Sequence, residues 1–246
     1  QGGANSDWGR EKLEEKVLSH KPDTVLLEFS VNDAVGRNKT AAHTRANLEH
    51  LIDRILQANP ECEIILQVMN PPVGHTKTER PNLAAHDQVY RDVAKERSLR
   101  LIDHNPAWLA LMKNDPVRFM LLNPDLIHPV RTGSLEISTP VVLTGLGLAP
   151  GNPTVSTEDT CWKYLRHLMN TDKDALVTRA EFDAFWTMHF KKSDTNGDGI
   201  LSAGEFHSEE LALGLDKNRD GNLELPEYVA TFEPFFEPAS ITPVPR

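Results

Sequence analysis

Asp125 and His128 stand three residues apart in NPDLIHPVRTG, residues 123–133, a loop bracketed by Pro124 and Pro129. Histidine takes a proton readily near neutral pH, and a carboxylate on its other ring nitrogen fixes the tautomer and stabilises the imidazolium. The pair is therefore a candidate general base with its orienting acid. Alone it reads equally as turn formers or caps in a proline-rich loop. A second candidate is Asn32 in EFSVNDA, residues 28–34. An asparagine amide at the end of a strand can project into a pocket and donate to an oxyanion. The competing reading is a turn in which Asp33 caps the next segment.

Internal repetition gives a different chemistry. DTNGDGILSAGE (194–205) and DKNRDGNLELPE (216–227) both fit D-x-[DN]-x-[DN]-G-x5-E, the twelve-residue EF-hand calcium loop. Calcium takes six to eight oxygens, which explains each residue type. Asp194, Asn196 and Asp198, like Asp216, Asn218 and Asp220, offer short oxygen side chains at positions 1, 3 and 5. Ile200 and Asn222 offer backbone carbonyls, Ser202 and Glu224 sit at position 9, and Glu205 and Glu227 close each site with two oxygens. Gly199 and Gly221 stand where the chain turns sharply. Two Ca2+ sites are expected. NTDKDALVTRAE (170–181) is a weaker copy, keeping Asp172, Asp174 and Glu181 but with Asn170 first and Ala175 at the turn, and it reads as structural. Only ten residues separate Glu205 from Asp216, so the hands must be compact and share a short helix. Dockerin modules have similarly tight repeats, but Glu at position 12 and the aromatic run FDAFWTMHF favour an EF-hand, and a dockerin-type protein partner is not expected.

Around these residues the first half of the chain alternates strand-like and helix-like runs. DTVLLEFS (23–30), EIILQVMNPP (63–72) and LRLIDH (99–104) read as buried strands; residues 40–60, with Leu48, Leu51, Ile52 and Ile55 at helical spacing, and 82–98 read as helices. Such alternation predicts an α/β fold with a parallel sheet, whose ligands gather beyond the carboxyl ends of the strands. Asn32 and Asp33, Met69 and Asn70, and Asp103 and His104 occupy those ends. His43, His50, His75, His86 and His104 are expected to be surface or capping residues, with His104 a candidate for the pocket border. A Gly-, Pro-, Ser- and Thr-rich stretch divides the chain, giving domains 1–148 and 159–236, a linker at 149–158 and a Pro-rich tail at 237–246.

With these motifs in order, the first half resembles the SGNH, or GDSL-like, hydrolase superfamily. SVND at 30–33 looks like its third sequence block, with Ser30 where glycine is usual. DLIH at 125–128 looks like the fourth, and QGGANS at 1–6 is similar to the second. The resemblance implies a flavodoxin-like three-layer sheet and hydrolysis of acyl or acetyl esters, including those of carbohydrates and lipids. His128 would activate a serine, Asp125 would orient His128, and Gly3 and Asn32 would stabilise the tetrahedral oxyanion. The first block, G-D-S, occurs nowhere in the 246 residues, and Ser6 belongs to the second block by its neighbours. The expectation is therefore a fragment, with the nucleophile and the first strand of the sheet upstream of Gln1. The alternative is an inert calcium-binding interaction protein.

Composition narrows the partners. Of the net charge of −10, residues 152–246 carry −8, from 17 acids and 9 bases, so the acidity gathers with the calcium motifs. An acidic chain repels nucleic acid, and no partner of that kind is expected. No transmembrane segment is read, since no run approaches ~18 apolar residues. Cys62 and Cys161 lie outside any CxxC pattern and read as two buried thiols, with one disulfide left as the alternative. Compact calcium hands suit a secreted or periplasmic setting.

Overall fold

The computed structural model describes residues 2–36, 39–149, 166–174, 176–233 and 236. Most of the expected linker, Cys161, Ala175 and the Pro-rich tail lie outside the described residues. The chain divides into two compact units. One comprises Gln1–Asn70, Glu79–Pro106 and Val141–Ala149; the other comprises Pro71–Thr78, Ala107–Pro140 and Pro150–Arg246.

The first unit is built on three parallel strands in the order β1 (Thr24–Leu27), β2 (Glu63–Val68), β3 (Arg100–Asp103). Thr24 pairs with Glu63 and Leu27 with Leu66, and Ile65 pairs with Arg100 and Val68 with Asp103. Because parallel neighbours require a crossover, each connection carries a helix: Ala41–Ala58 between β1 and β2, Leu83–Glu96 between β2 and β3. β2 is central, and Ile64, Ile65, Leu66 and Val68 are all buried, as a strand covered on both faces requires. β1 is buried on one face only, with Leu26 48% exposed.

Helix Ala41–Ala58 begins where the Thr40 side chain accepts the His43 N–H, and ends at Asn59 before Pro60. Its stripe of Leu48, Leu51, Ile52 and Ile55 packs with Leu13, the β2 side chains, Val89, Tyr90 and Val93 in one core. Burying each such aliphatic side chain contributes about 1.5–3 kcal/mol. Cys62 is a buried free thiol in the same core.

The second unit contains helices and loops among its described residues. Helix Arg179–Ser193 starts from a capping box in which Thr178 accepts the Glu181 N–H and the Glu181 carboxylate reaches back. Helix Leu225–Phe232 stacks Phe232 on Trp186 at 3.7 Å and 5°, while Tyr228 meets Trp186, Phe190 and Phe206 edge-on. The ten residues between the two strong calcium motifs do not share one helix. One short helix, Ala203–Phe206, begins inside the first motif and a second, Glu209–Leu215, fills most of the gap, because His207 turns left-handed (φ 55°) and Ser208 caps the second by accepting the Leu211 N–H. Trp108, Phe119, Leu122, Leu126 and Val130 belong to this same hydrophobic cluster, so the NPDLIH loop is cored together with the aromatic helices. No described helix is long and apolar enough to cross a membrane.

Candidate functional site

Asp125 and His128 are brought together. The His128 Nδ1–H donates to Asp125 Oδ2 at 2.7 Å, while Asp125 Oδ1 accepts the backbone N–H groups of His128 (2.7 Å) and Ile127 (3.2 Å). The carboxylate thus fixes the ring and the turn beneath it. Burial by itself pushes the Asp125 carboxyl up, but the bonds from the His128 ring and backbone outweigh it and hold the group below the usual carboxylate range. With Nδ1 carrying its proton toward the carboxylate, Nε2 is the basic nitrogen. The His128 side chain is 72% exposed, so a reactant can approach it.

The turn is held from below. Leu126, fully buried, takes a left-handed conformation (φ 70°) that costs a non-glycine residue about 1–2 kcal/mol and must be over-determined by its surroundings. Its N–H donates to Asn123 O, and its carbonyl accepts from the Val73 N–H (3.1 Å) and from Thr76 Oγ1 (2.8 Å).

In the first unit, Asn32 does not end a strand. β1 stops at Leu27, and Ser30–Asp33 form one helical turn, because Glu28 Oε1 accepts the Val31 N–H (3.2 Å) and lies 2.9 Å from Ser30 Oγ. One amide N–H of Asn32 donates to Ala4 O at 2.8 Å, which links it to the Gly2–Ala4 segment; Gly3 takes φ 68°, open to a glycine. Among the described residues Asp33 caps no following segment. It is buried, accepting the Ser6 N–H (2.8 Å) and the Thr44 hydroxyl (2.7 Å), and Thr44 also meets His86 Nδ1 at 2.8 Å. Ser6 is buried too, its Oγ accepting from Asn47, which leaves it a structural serine.

A second network backs the Asn32 turn. Ser30 Oγ is 2.8 Å from Asp87 Oδ1, and Arg80 Nε donates to Val31 O at 3.1 Å. Burial pushes the Glu28 carboxyl up and the charge of Asp87 adds to this, against the bonds from Val31 and Ser30. Sequence reading missed Glu28, Asp87 and Thr44 and expected His86 at the surface or in a cap, since no spacing joins the Glu28 turn to residues on helices Ala41–Ala58 and Leu83–Glu96. His86 and His104 are buried and not at the surface; burial pushes both imidazoles down. Asn70, after β2, is buried as well.

The two strong calcium motifs form matched loops. Asp194 accepts from Gly197 N and Gly199 N, and Asp216 from Arg219 N and Gly221 N. Asn196 and Asn218 each accept from the backbone two residues on and donate to Asp198 and Asp220. Gly199 (φ 83°) and Gly221 (φ 88°) make turns that a β-carbon would strain. The loops pair through the Leu201 N–H and Leu223 O (2.8 Å) and a bridge between Ile200 and Glu224. Carboxylate oxygens of Asp194, Asp198 and Glu205 lie within 4.8 Å of one another. Glu227 Oε2 is buried without a partner among the described residues. A buried, unpaired carboxylate oxygen fits a hard cation, whose charge would offset its lost hydration.

In the weaker copy, Asp172 and Asp174 accept backbone N–H groups of their own loop. Bonds from Thr178, then Thr171 and Asp172, hold the Glu181 carboxyl down at about 2. Asn170 Nδ2 donates to Asp174 O, and its Oδ1 is buried without a partner among the described residues.

A family model of the GDSL-like lipase/acylhydrolase family matches residues 1–134. No curated protein matches the chain significantly. Among solved structures, an acetylxylan esterase from Geobacillus stearothermophilus is 21% identical, with 61% of this chain and 71% of that one covered and a TM-score of 0.51. A protein from Parabacteroides merdae assigned as a GDSL-like lipase is 19% identical over 59% of this chain and 69% of its own, TM-score 0.51. A lipase/acylhydrolase from Enterococcus faecalis is 28% identical over 61% and 75%, TM-score 0.49. The first two likenesses concern the fold, an α/β architecture around a parallel sheet.

Proposed function

The chain belongs to the GDSL-like lipase/acylhydrolase family, and on that premise we propose that it is an ester hydrolase of Ser-His-Asp type joined to a calcium-binding EF-hand module. The observation that carries the catalytic half is the 2.7 Å bond from His128 Nδ1 to Asp125, with the ring exposed. His128 takes the proton of a serine hydroxyl through Nε2 as that oxygen attacks the acyl carbon, then returns it to the leaving alcohol; Asp125 holds the tautomer throughout. The Gly3 N–H and the second amide hydrogen of Asn32 are the oxyanion donors in this reading. No Gly-Asp-Ser tripeptide occurs in the 246 residues and Ser6 is structurally committed, so the nucleophile is not assigned among the residues described. The sheet is read as part of a flavodoxin-like three-layer fold, and the functional modules as residues 1–148 and 159–236.

Asp194, Asn196, Asp198, Ile200, Ser202 and Glu205 would hold one calcium ion, and Asp216, Asn218, Asp220, Asn222, Glu224 and Glu227 another. The buried Glu227 Oε2, which has no partner among the described residues, supports this. The ion would cross-link its loop and neutralise the carboxylates. Such loops suit calcium-rich surroundings outside the cytoplasm.

The similarity in fold to an acetylxylan esterase makes acetylated carbohydrate the first substrate class to assay. The test is fluorophosphonate labelling and hydrolysis of acetyl esters by the protein at its full encoded length. Labelling lost with His128→Ala is expected; neither labelling nor turnover across the panel would leave the inert calcium-binding reading, which the unassigned nucleophile favours.

A further inference from the structure

Helix Arg179–Ser193 ends against the segment that supports the acid–base turn. Ser193 is 1% exposed, and its Oγ accepts the His75 backbone N–H at 3.1 Å. Gly74, beside it, takes φ 53°; a β-carbon there would stand 2.5 Å from Ser193 Oγ and 3.0 Å from Leu126 Cδ1. Gly74 is therefore wedged between the end of this helix and the middle of the Asp125–His128 turn, a closeness that only glycine permits. On either side, the Val73 N–H donates to Leu126 O, and the single Thr76 hydroxyl hydrogen is shared between Leu126 O (2.8 Å) and Val73 O (2.7 Å). One helical turn before Ser193, buried His189 faces His75 with ring centroids 5.7 Å apart. Burial first, and the neighbouring His75 second, push His189 down to about 4, while Asp125 pulls the other way, so a neutral ring abuts this segment.

The next residue, Asp194, opens the first strong calcium loop, and its N–H closes the helix on Phe190 O. We propose that Ser193 is a positioning residue for the Asp125–His128 pair: it clamps segment 73–76, from which the Leu126 turn hangs, and ties the geometry of the pair to the order of loop 194–205. The relay is a short run of contacts within one unit, from loop 194–205 through Ser193 to Gly74 and His75, then Leu126, then Asp125 and His128. A loop tightened by calcium fixes the helix end, and with it the carboxylate that sets the His128 tautomer. The proposal rests on reading Asp125 and His128 as the acid–base pair and loop 194–205 as a calcium loop, but its test does not depend on turnover.

That test is hydrogen exchange and imidazole 15N chemical shifts on the whole chain, with calcium and with chelator, in the unaltered protein and in Ser193→Ala. Loss of this one bond is expected to quicken exchange in segments 73–76 and 123–128 about fivefold. The His128 shifts should move toward a mixture of tautomers, and the calcium-dependent protection of loop 194–205 should persist. Chelation of the unaltered protein should produce the same changes at 123–128. Unchanged exchange and unchanged His128 shifts in Ser193→Ala would overturn the positioning role. Chelation that loosens loop 194–205 and leaves 123–128 unmoved would overturn the link to it. If Ser193→Ala loosens the whole unit, Ser193→Thr, which keeps the hydroxyl, decides: recovery of the His128 shifts supports the clamp, and a Thr variant as altered as Ala overturns it. An unaltered protein that fails to hydrolyse esters removes the enzymatic reading and leaves these readouts standing.

Discussion

Replacing Glu28 by glutamine tests the buried network behind Asn32. Ser30 Oγ lies 2.9 Å from Glu28 Oε1 and 2.8 Å from Asp87 Oδ1, yet a hydroxyl has one hydrogen to give. One hydroxyl hydrogen serves two short oxygen–oxygen contacts poorly; a proton shared by the carboxyl pair would supply the second, and the raised Glu28 carboxyl favours it. Burial raises the Glu28 carboxyl, and Asp87 raises it further against the bonds from Val31 and Ser30. On this count the folded state binds that proton more tightly than the unfolded chain, which releases it near pH ~4.3. Stability is fully present below that value and falls as pH rises toward the raised folded pKa, by up to about 1.4 kcal/mol per pH unit. The carbonyl of Glu28→Gln still accepts from the Val31 N–H and the Ser30 hydroxyl, so at pH 5 the change should cost less than about 1 kcal/mol. Above pH 5 the variant should become progressively the more stable protein. Urea unfolding by circular dichroism, with local exchange of helix Leu83–Glu96, measures both slopes. A loss of about 2 kcal/mol or more at pH 5, or a pH slope equal to that of the unaltered protein, would refute the proton count.

Other outcomes follow from the same geometry. Calcium at a hundredfold excess over its dissociation constant should stabilise the second unit by about 2.7 kcal/mol per occupied loop, and Glu227→Gln should remove the share of loop 216–227; an unchanged melt with chelator refutes occupancy. Asp125→Asn should leave the fold intact but lower kcat for an acetyl ester on the order of 10⁴-fold, since an amide no longer selects the productive tautomer; equal turnover would take Asp125 out of the mechanism. Trp186→Ala removes the ring stacked at 3.7 Å on Phe232 and should cost about 3–5 kcal/mol, read by chemical denaturation of the second unit; a loss below 1 kcal/mol would mean the aromatic cluster is not its core.

Elements governed by local periodicity were legible in advance. The three strands and the helices Ala41–Ala58 and Leu83–Glu96 fall within the runs read from apolar spacing, because their burial pattern is written in consecutive residues. Asp125 and His128 were legible for the same reason: three residues apart, they meet across one turn. Loops 194–205 and 216–227 are likewise local, each closing through its own side chains. The Asn32 turn was misread as a strand end, because what ends β1 at Leu27 is a carboxylate, Glu28, folding back on the Val31 N–H, and apolar spacing carries no sign of that bond.

The sequence by itself determined which groups are available: an imidazole three residues from a carboxylate, an asparagine amide, and oxygen-bearing side chains in two well-formed loops. Tertiary structure decided what holds them. Ser193 reaches His75 across 118 positions, Ser30 reaches Asp87 across 57, and Leu126 and Val130 share their hydrophobic cluster with the helices around loops 194–205 and 216–227. Such contacts depend on where whole helices pack. Burial and shape complementarity set that packing, and residue type at a given spacing does not encode it.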